Sequence, residues 1–316
     1  PRPIEGYQTD GLTDLTIEFV EESGDDADPF CAVLSVEPPH PPFTAPEEYL
    51  DRVADRELQL RPNVPYGEAD ALPNRHVPPD RIEPYESWGD IGAAGPDLYE
   101  RHNYHGDVVL DEMRAYYAMV ENVDHNVGRL LDTLEREGIR DETAVVFLSD
   151  HGELLGSHGL MMKQHPHEES VGVPFVVSYP GGGVESGAVL SEPTCTEDWF
   201  PTLLGLAGLD PGDGPGTDLT PLMTGERDAL DRPGVLLEFV RETRPEMVYH
   251  DETWRAFRTE RYKYTVKGDD AGAEPWQLFD LEADPYEQEN LLAGGAGEHA
   301  ALAGELHGHL RDTLAG

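Results

Sequence analysis

Between Met113 and Leu134 the apolar residues Met113, Tyr116, Val120, Val123, Val127, Leu130 and Leu134 recur at three- and four-residue steps. That spacing puts all seven on one face of a helix. Gly138 stands where a helix needs a C′ residue, and after the turn Asp141-Glu142-Thr143 comes an unbroken apolar run over residues 144–148. A run of that kind suits a strand buried on both faces. A similar run precedes the helix at residues 30–36, and a third, residues 174–179, follows and ends in Pro180 and three glycines. Strand, helix and strand in this order predict crossover units in a mostly parallel sheet, and so an α/β fold. Nowhere does the chain hold a run of about 18 or more apolar residues, so no membrane-spanning helix is expected.

The flanks read differently. Leu12, Leu15 and Phe19 predict a short amphipathic helix, closed by the turn residues Ser23-Gly24-Asp25-Asp26. Residues 38–107 are rich in Pro, Gly and charge and predict a long surface connection with, at most, short helical turns. Trp199, Leu203 and Leu206 mark another helix. Beyond Pro233 short strand-like runs at residues 235–240, 254–258, 262–266 and 277–280 follow one another without long helices between them. They predict a small antiparallel sheet. Leu302, Leu306, Leu310 and Leu314 close the chain with a helix. The expected division is residues 1–232 as the larger α/β portion and 233–316 as a small α+β subdomain.

Charge narrows the partners. The 316 residues carry 22 Lys and Arg against 64 Asp and Glu, a formal net charge of −42. Such a chain repels a phosphate backbone, so no nucleic-acid partner is expected. The acidity is spread along a sequence with regular apolar periodicity, unlike a disordered acidic tail. It reads as a surface adapted to molar salt, where the Debye length shrinks to about 3 Å and self-repulsion fades. A cytoplasmic location in a salt-adapted cell is the matching expectation, with export of a longer polypeptide as the alternative. Two cysteines, Cys31 and Cys195, make no disulfide framework and are expected as small buried apolar residues.

Chemistry gathers after the run at 144–148. Ser149-Asp150-His151-Gly152 stands at the carboxyl end of that run, the edge where open α/β sheets place ligands. A carboxylate and an imidazole can both ligate a divalent cation. Taken alone the pair is also what a capped turn with a surface histidine looks like. The stretch after it adds weight, because Lys163, one of three lysines in the chain, is surrounded by His158, His165 and His167. Upstream, Pro39-His40-Pro41-Pro42 follows the 30–36 run, which would bring His40 to the same sheet edge as Asp150.

Several segments together resemble the sulfatase family of the alkaline phosphatase superfamily: YYAMVENVDHNVGRLLDTLEREGIRDETAVVFLSDHG from Tyr116 to Gly152, Pro39-His40-Pro41-Pro42, KQHPHEESVGVP from Lys163 to Pro174, WRAFRTERYKY from Trp254, and FDLEADPYEQENL from Phe279. The resemblance implies an alkaline-phosphatase-like sandwich with a mostly parallel central sheet and a smaller carboxy-terminal α+β subdomain with an antiparallel sheet. It implies metal-dependent hydrolysis of sulfate esters, on a small molecule or a sulfated glycan. By the same resemblance Asp150 and His151 are metal ligands, His40 binds the sulfate and protonates the leaving oxygen, and Lys163 contacts the sulfate. The implied ion is calcium, with manganese as the alternative because a nitrogen ligand at His151 is less typical of calcium.

One family feature is absent from these 316 residues. The Cys/Ser-x-Pro-Ser-Arg motif, whose cysteine becomes the formylglycine nucleophile, does not occur, and Cys31 and Cys195 have the wrong followers. The acidic pairs Asp25-Asp26 and Asp269-Asp270 read as turns rather than as the missing ligands. The sequence therefore looks like the carboxy-terminal two-thirds of a sulfatase, with a formylglycine nucleophile expected in an upstream segment and this chain expected to be inactive alone. A phosphonate monoester or phosphodiester hydrolase of the same superfamily is the first alternative. A non-catalytic remnant that binds a partner or glycan is the second.

Overall fold

The computed structural model describes residues 4, 6–23, 28–64, 107–240, 243–244, 247–248, 253–268 and 273–315. The pairs Asp25-Asp26 and Asp269-Asp270 and the Pro-rich stretch 65–106 lie outside the described residues. By contacts the chain forms two compact units: residues 1–60, 106–145 and 179–182 in one, and 61–105, 146–178 and 183–316 in the other.

The first unit is helical. Helices α1 (Gln8–Ser23) and α2 (Glu47–Ala54) both pack on α3 (Asp107–Arg136). The expected stop of α3 is present. Gly138 has φ +73°, its N–H donates to the carbonyl of Glu135, and the Ile139 N–H donates to that of Leu134. This pair of bonds satisfies two of the carbonyls that a helix end leaves open. The buried faces differ from the apolar stripes. On α1 the buried residues are Thr9, Thr13 and Val20, while Phe19 is exposed and meets Phe30 edge-on at 5.6 Å. On α3 Asn122 and Asn126 are buried and both donate to Asp10 of α1, at 2.9 and 2.7 Å, whereas Val120 is 40% exposed. Buried amides of this kind are tolerated because each finds a carboxylate. Tyr49 and Val53 of α2 pack against Ala118 of α3, as the period of the α3 face requires.

Residues 30–36 correct the sequence reading. They form no strand, and Val33 is 86% exposed, as is Cys31 in kind. An apolar run becomes a strand only where another edge pairs its N–H and C=O groups, and no described strand does so here. The expected placement of His40 at the end of a buried strand falls with it.

In the second unit β1 (Val145–Leu148) pairs with β2 (Phe175–Ser178). Neither strand is as deeply buried as its sequence suggests, and Phe147 and Leu148 are exposed. Between them lie a 3-10 turn at Ser157–Gly159 and the single-turn helix α4 (Glu168–Val171). Helices α5 (Trp199–Leu206) and α6 (Thr220–Met223) follow. Thr202 of α5 links them, accepting the Leu219 N–H and the Thr220 hydroxyl, and just before α5 the Asp198 carboxylate accepts from the Cys195 and Thr217 amides and from the Arg232 guanidinium. Burial works to raise this carboxyl, but Arg232 and the two amides hold it below the usual range.

The late strands fall where the alternation placed them. β3 (Val235–Phe239), β6 (Trp254–Arg258), β7 (Tyr262–Lys267) and β8 (Glu274–Asp280) form one antiparallel sheet in that order, and the two-residue strands β4 (Thr243–Arg244) and β5 (Met247–Val248) pair with each other. Period-two alternation divides β7. Tyr264 and Val266, with Phe257 and Leu278, pack under the terminal helix α7 (Ala300–Ala315) through Ala303, Leu306 and Leu310. Lys263 and Thr265, fully buried, belong to the other face. In register with them stand Arg258, Ala256 and Phe279, and Lys267 pairs with Trp254. The sheet is thus covered on both sides, by α7 on one and by the loops between β1 and β2 on the other.

Candidate functional site

Asp150 stands two residues beyond the end of β1, after Ser149, and its side chain is 84% exposed. One carboxylate oxygen accepts the His151 N–H at 3.0 Å, which orients the group. The imidazole Nδ1 lies 2.8 Å from the Gly152 carbonyl, so with Nδ1 donating there, Nε2 carries the lone pair. That Nε2 is 3.6 Å from the second Asp150 oxygen, a separation that two ligands of one cation adopt. An exposed carboxylate oxygen beside an imidazole nitrogen fits one side of a divalent ion.

Gly152 explains why the turn ends in glycine. Its N–H donates to the Ser170 carbonyl at 2.8 Å, and a Cβ here would stand 2.1 Å from the Glu169 carbonyl oxygen. Only a residue without a side chain lets the Asp150 turn sit on α4.

Lys163 shares this neighbourhood. Burial depresses its amine, while Glu153 and Asp150 pull the other way. Glu153 is buried and pushed up by desolvation, with the Leu155 and Met162 amides and the Lys163 ammonium opposing the rise. The structure thus brings Asp150, His151, Glu153 and Lys163 into one electrostatic cluster. His40 belongs to the other compact unit. There its backbone N–H donates to Glu37 and its Nδ1 sits 2.7 Å from the Pro41 carbonyl, between the cis pairs Pro38-Pro39 and Pro41-Pro42.

The histidines around Lys163 have separate settings. His165 is half-buried, while His158 and His167 are buried with rings stacked at 3.9 Å and 19°. With Glu287 they form a compact set of potential metal donors. Two nearly parallel rings nearly 4 Å apart cannot both hold one ion in their planes, and Lys263 already lies 2.7 Å from Glu287. In this arrangement the group is a packed network rather than a metal centre. Asn63 completes it, its amide lying 3.0 Å from His158 Nε2 and donating to Glu169.

Sequence reasoning missed the support behind these residues. Lys263 lies between Glu168 at 2.9 Å and Glu287 at 2.7 Å, Arg258 reaches Glu168 at 3.2 Å, and Glu287 accepts the Glu168 N–H at 2.7 Å. Burial works to raise the Glu168 carboxyl, but Lys263 and Arg258 outweigh it and hold it low. The scarcity of lysine that drew attention to Lys163 applied equally to Lys263.

The sulfatase family profile matches residues 2–209, and the profile of the carboxy-terminal part of N-sulphoglucosamine sulphohydrolase matches residues 156–315. The chain belongs to the sulfatase family. It is 31% identical to the ulvan-active sulfatase of Formosa agariphila over 303 residues, which is 94% of this chain and 50% of that protein. Among solved structures, one in complex with its substrate D-glucosamine-2-N,6-O-disulfate superimposes with a TM-score of 0.70 at 26% identity, covering 98% of this chain and 69% of that one. The phosphonate monoester hydrolase of Agrobacterium radiobacter does so with a TM-score of 0.71 at 27% identity, covering 98% and 61%. The fold is that of the alkaline phosphatase superfamily, as the sequence implied. The chain spans about half the length of the curated relatives it matches.

Proposed function

We propose that this chain is the carboxy-terminal portion of a sulfuric ester hydrolase acting on a sulfated glycan or a small sulfate ester. The observation that carries the reading is the cluster of Asp150, His151 and Lys163 in a chain of the sulfatase family. Asp150 and His151 would hold one side of a divalent cation, calcium by family resemblance and manganese as the alternative. When bound, that ion supplies Lewis-acid stabilisation of negative charge on the sulfate oxygens. Lys163 adds a second positive charge, needed because an anionic ester approaches a protein of net charge −42. A half-buried amine stabilises developing charge more than a solvated one does, since the local dielectric is lower. By family resemblance His40, whose Nδ1 lies 2.7 Å from the Pro41 carbonyl, is the candidate for protonating the leaving oxygen. The attacking group comes from a formylglycine residue in a segment preceding Pro1.

The test compares an aryl sulfate with a phosphonate monoester, in polypeptides with and without a Cys-x-Pro-Ser-Arg segment, each with calcium and with manganese. Sulfate release only from the longer polypeptide, lost by roughly 100- to 1000-fold in Lys163→Ala, supports the reading. Faster turnover of the phosphonate with manganese would favour the second reading. That alternative draws on the likeness to the Agrobacterium hydrolase and on the nitrogen ligand at His151. Turnover by the 316-residue chain alone would overturn the placement of the nucleophile.

A further inference from the structure

Lys163 is flanked on both sides by non-glycine residues in the left-handed region, Met162 at φ +70° and Gln164 at φ +79°. Side chains with a Cβ avoid this conformation, and it persists only where surroundings enforce it. Here each flank has its own holder. The Met162 N–H donates to the buried Glu153 carboxylate at 2.5 Å, and the Met162 carbonyl accepts from Leu154 at 2.8 Å. The Gln164 carbonyl accepts from the indole Nε1 of Trp254 at 2.8 Å. Trp254 is 2% exposed and lies on the sheet face that also presents Arg258 and Lys263, whose charges grip Glu168 five residues further on.

We infer that Trp254 and Glu153 are positioning residues: they lock the backbone on either side of Lys163 and so fix where its amine meets the anion. The inference rests on the reading of Lys163 as the sulfate contact, although the lock itself does not.

The test uses the chain as it stands. In Trp254→Phe, which keeps an aromatic ring against Phe239 but removes the donor, amide exchange across residues 161–166 should rise about five- to tenfold, as loss of one hydrogen bond implies. Glu153→Ala should do the same from the other side. Exchange in β6, β7, β8 and α7 should stay unchanged. Adding Gln164→Gly to Trp254→Phe should reverse most of the rise, because glycine adopts φ near +80° without being held. With three lysines in the chain, acetylation of Lys163 can be followed beside Lys267 as an internal reference. Inorganic sulfate should slow acetylation of Lys163, at a higher sulfate concentration in Trp254→Phe and at the original one in the double variant. Unchanged exchange at 161–166, a rise spread over the whole sheet, or no rescue by glycine would each overturn the lock. Normal exchange effects with no sulfate protection would leave the lock standing and remove Lys163 from the anion site.

Discussion

Two lysines show what a residue's context adds to its identity. Lys163 and Lys263 are equally conspicuous in a chain with three lysines, yet one sits half-buried beside the exposed Asp150 and the other is sealed between Glu168 and Glu287. Removing one member of such a buried set leaves charge uncompensated. Lys263→Met should therefore lower the unfolding free energy by about 3 to 5 kcal/mol, read by urea denaturation at neutral pH. The same pair fixes a pH dependence. Because Glu168 is held below its ordinary value in the folded state, its contribution is complete above the unfolded carboxyl value of about 4.3. It is lost as pH falls through the lower folded value. Without Lys263, burial is less opposed and the Glu168 carboxyl rises, so the variant should lose less stability than the parent between about pH 5 and 3. Parallel acid limbs for the two proteins would contradict this account.

At the scale of elements, two glycines do different work. Gly138 ends α3 at φ +73°, with open space where a Cβ would go. Gly138→Ala should cost only the left-handed penalty, about 1 to 2 kcal/mol. Gly152 has no such room, because the Glu169 carbonyl oxygen stands 2.1 Å from its would-be Cβ. Gly152→Ala should cost more, prising the Asp150 turn from α4 and weakening calcium or manganese binding in a calorimetric titration. Equal destabilisation in the two variants, with cation binding unchanged in both, would show that this turn does not depend on its seat. The elements also show how far periodicity reaches. β6 begins and ends where alternation set it, and α3 stops at its glycine. The 30–36 run, interrupted only by Ser35, is nearly as apolar as the 144–148 run, but among the described residues only the latter finds a partner strand.

For the whole molecule the dominant number is the net charge of −42. Many of the arginines sit in surface ion pairs, such as Arg56 with Glu121, Arg136 with Glu21 and Arg261 with Asp280. Each exposed pair is worth little, and salt weakens it. The excess of acidic groups repels itself over the whole surface, and salt weakens that as well. With 64 acidic residues against 22 basic ones the repulsion should win. The thermal midpoint is therefore expected to climb as potassium chloride goes from dilute to molar. A flat or falling midpoint would rule out the salt-adapted reading of the surface.

Periodicity and turn residues by themselves determined the α/β class, the long helix with its stop and the late antiparallel strands, and the resemblance of several contiguous segments pointed to the family. These depend on local spacing and on short stretches of contiguous residues, which a linear string preserves. The buried face of α3 was not legible, because an asparagine is buried only when a particular partner, here Asp10 of α1, arrives from more than a hundred residues away. Nor was the support of Lys163. Trp254 reaches Gln164 across 90 residues and Lys263 reaches Glu168 across 95, and neither pairing leaves a mark in the sequence near either end. Only the tertiary structure decided which of the scarce cations lies beside the candidate site and which is sealed behind it, because burial and partner charge are properties of contacts and not of residue type.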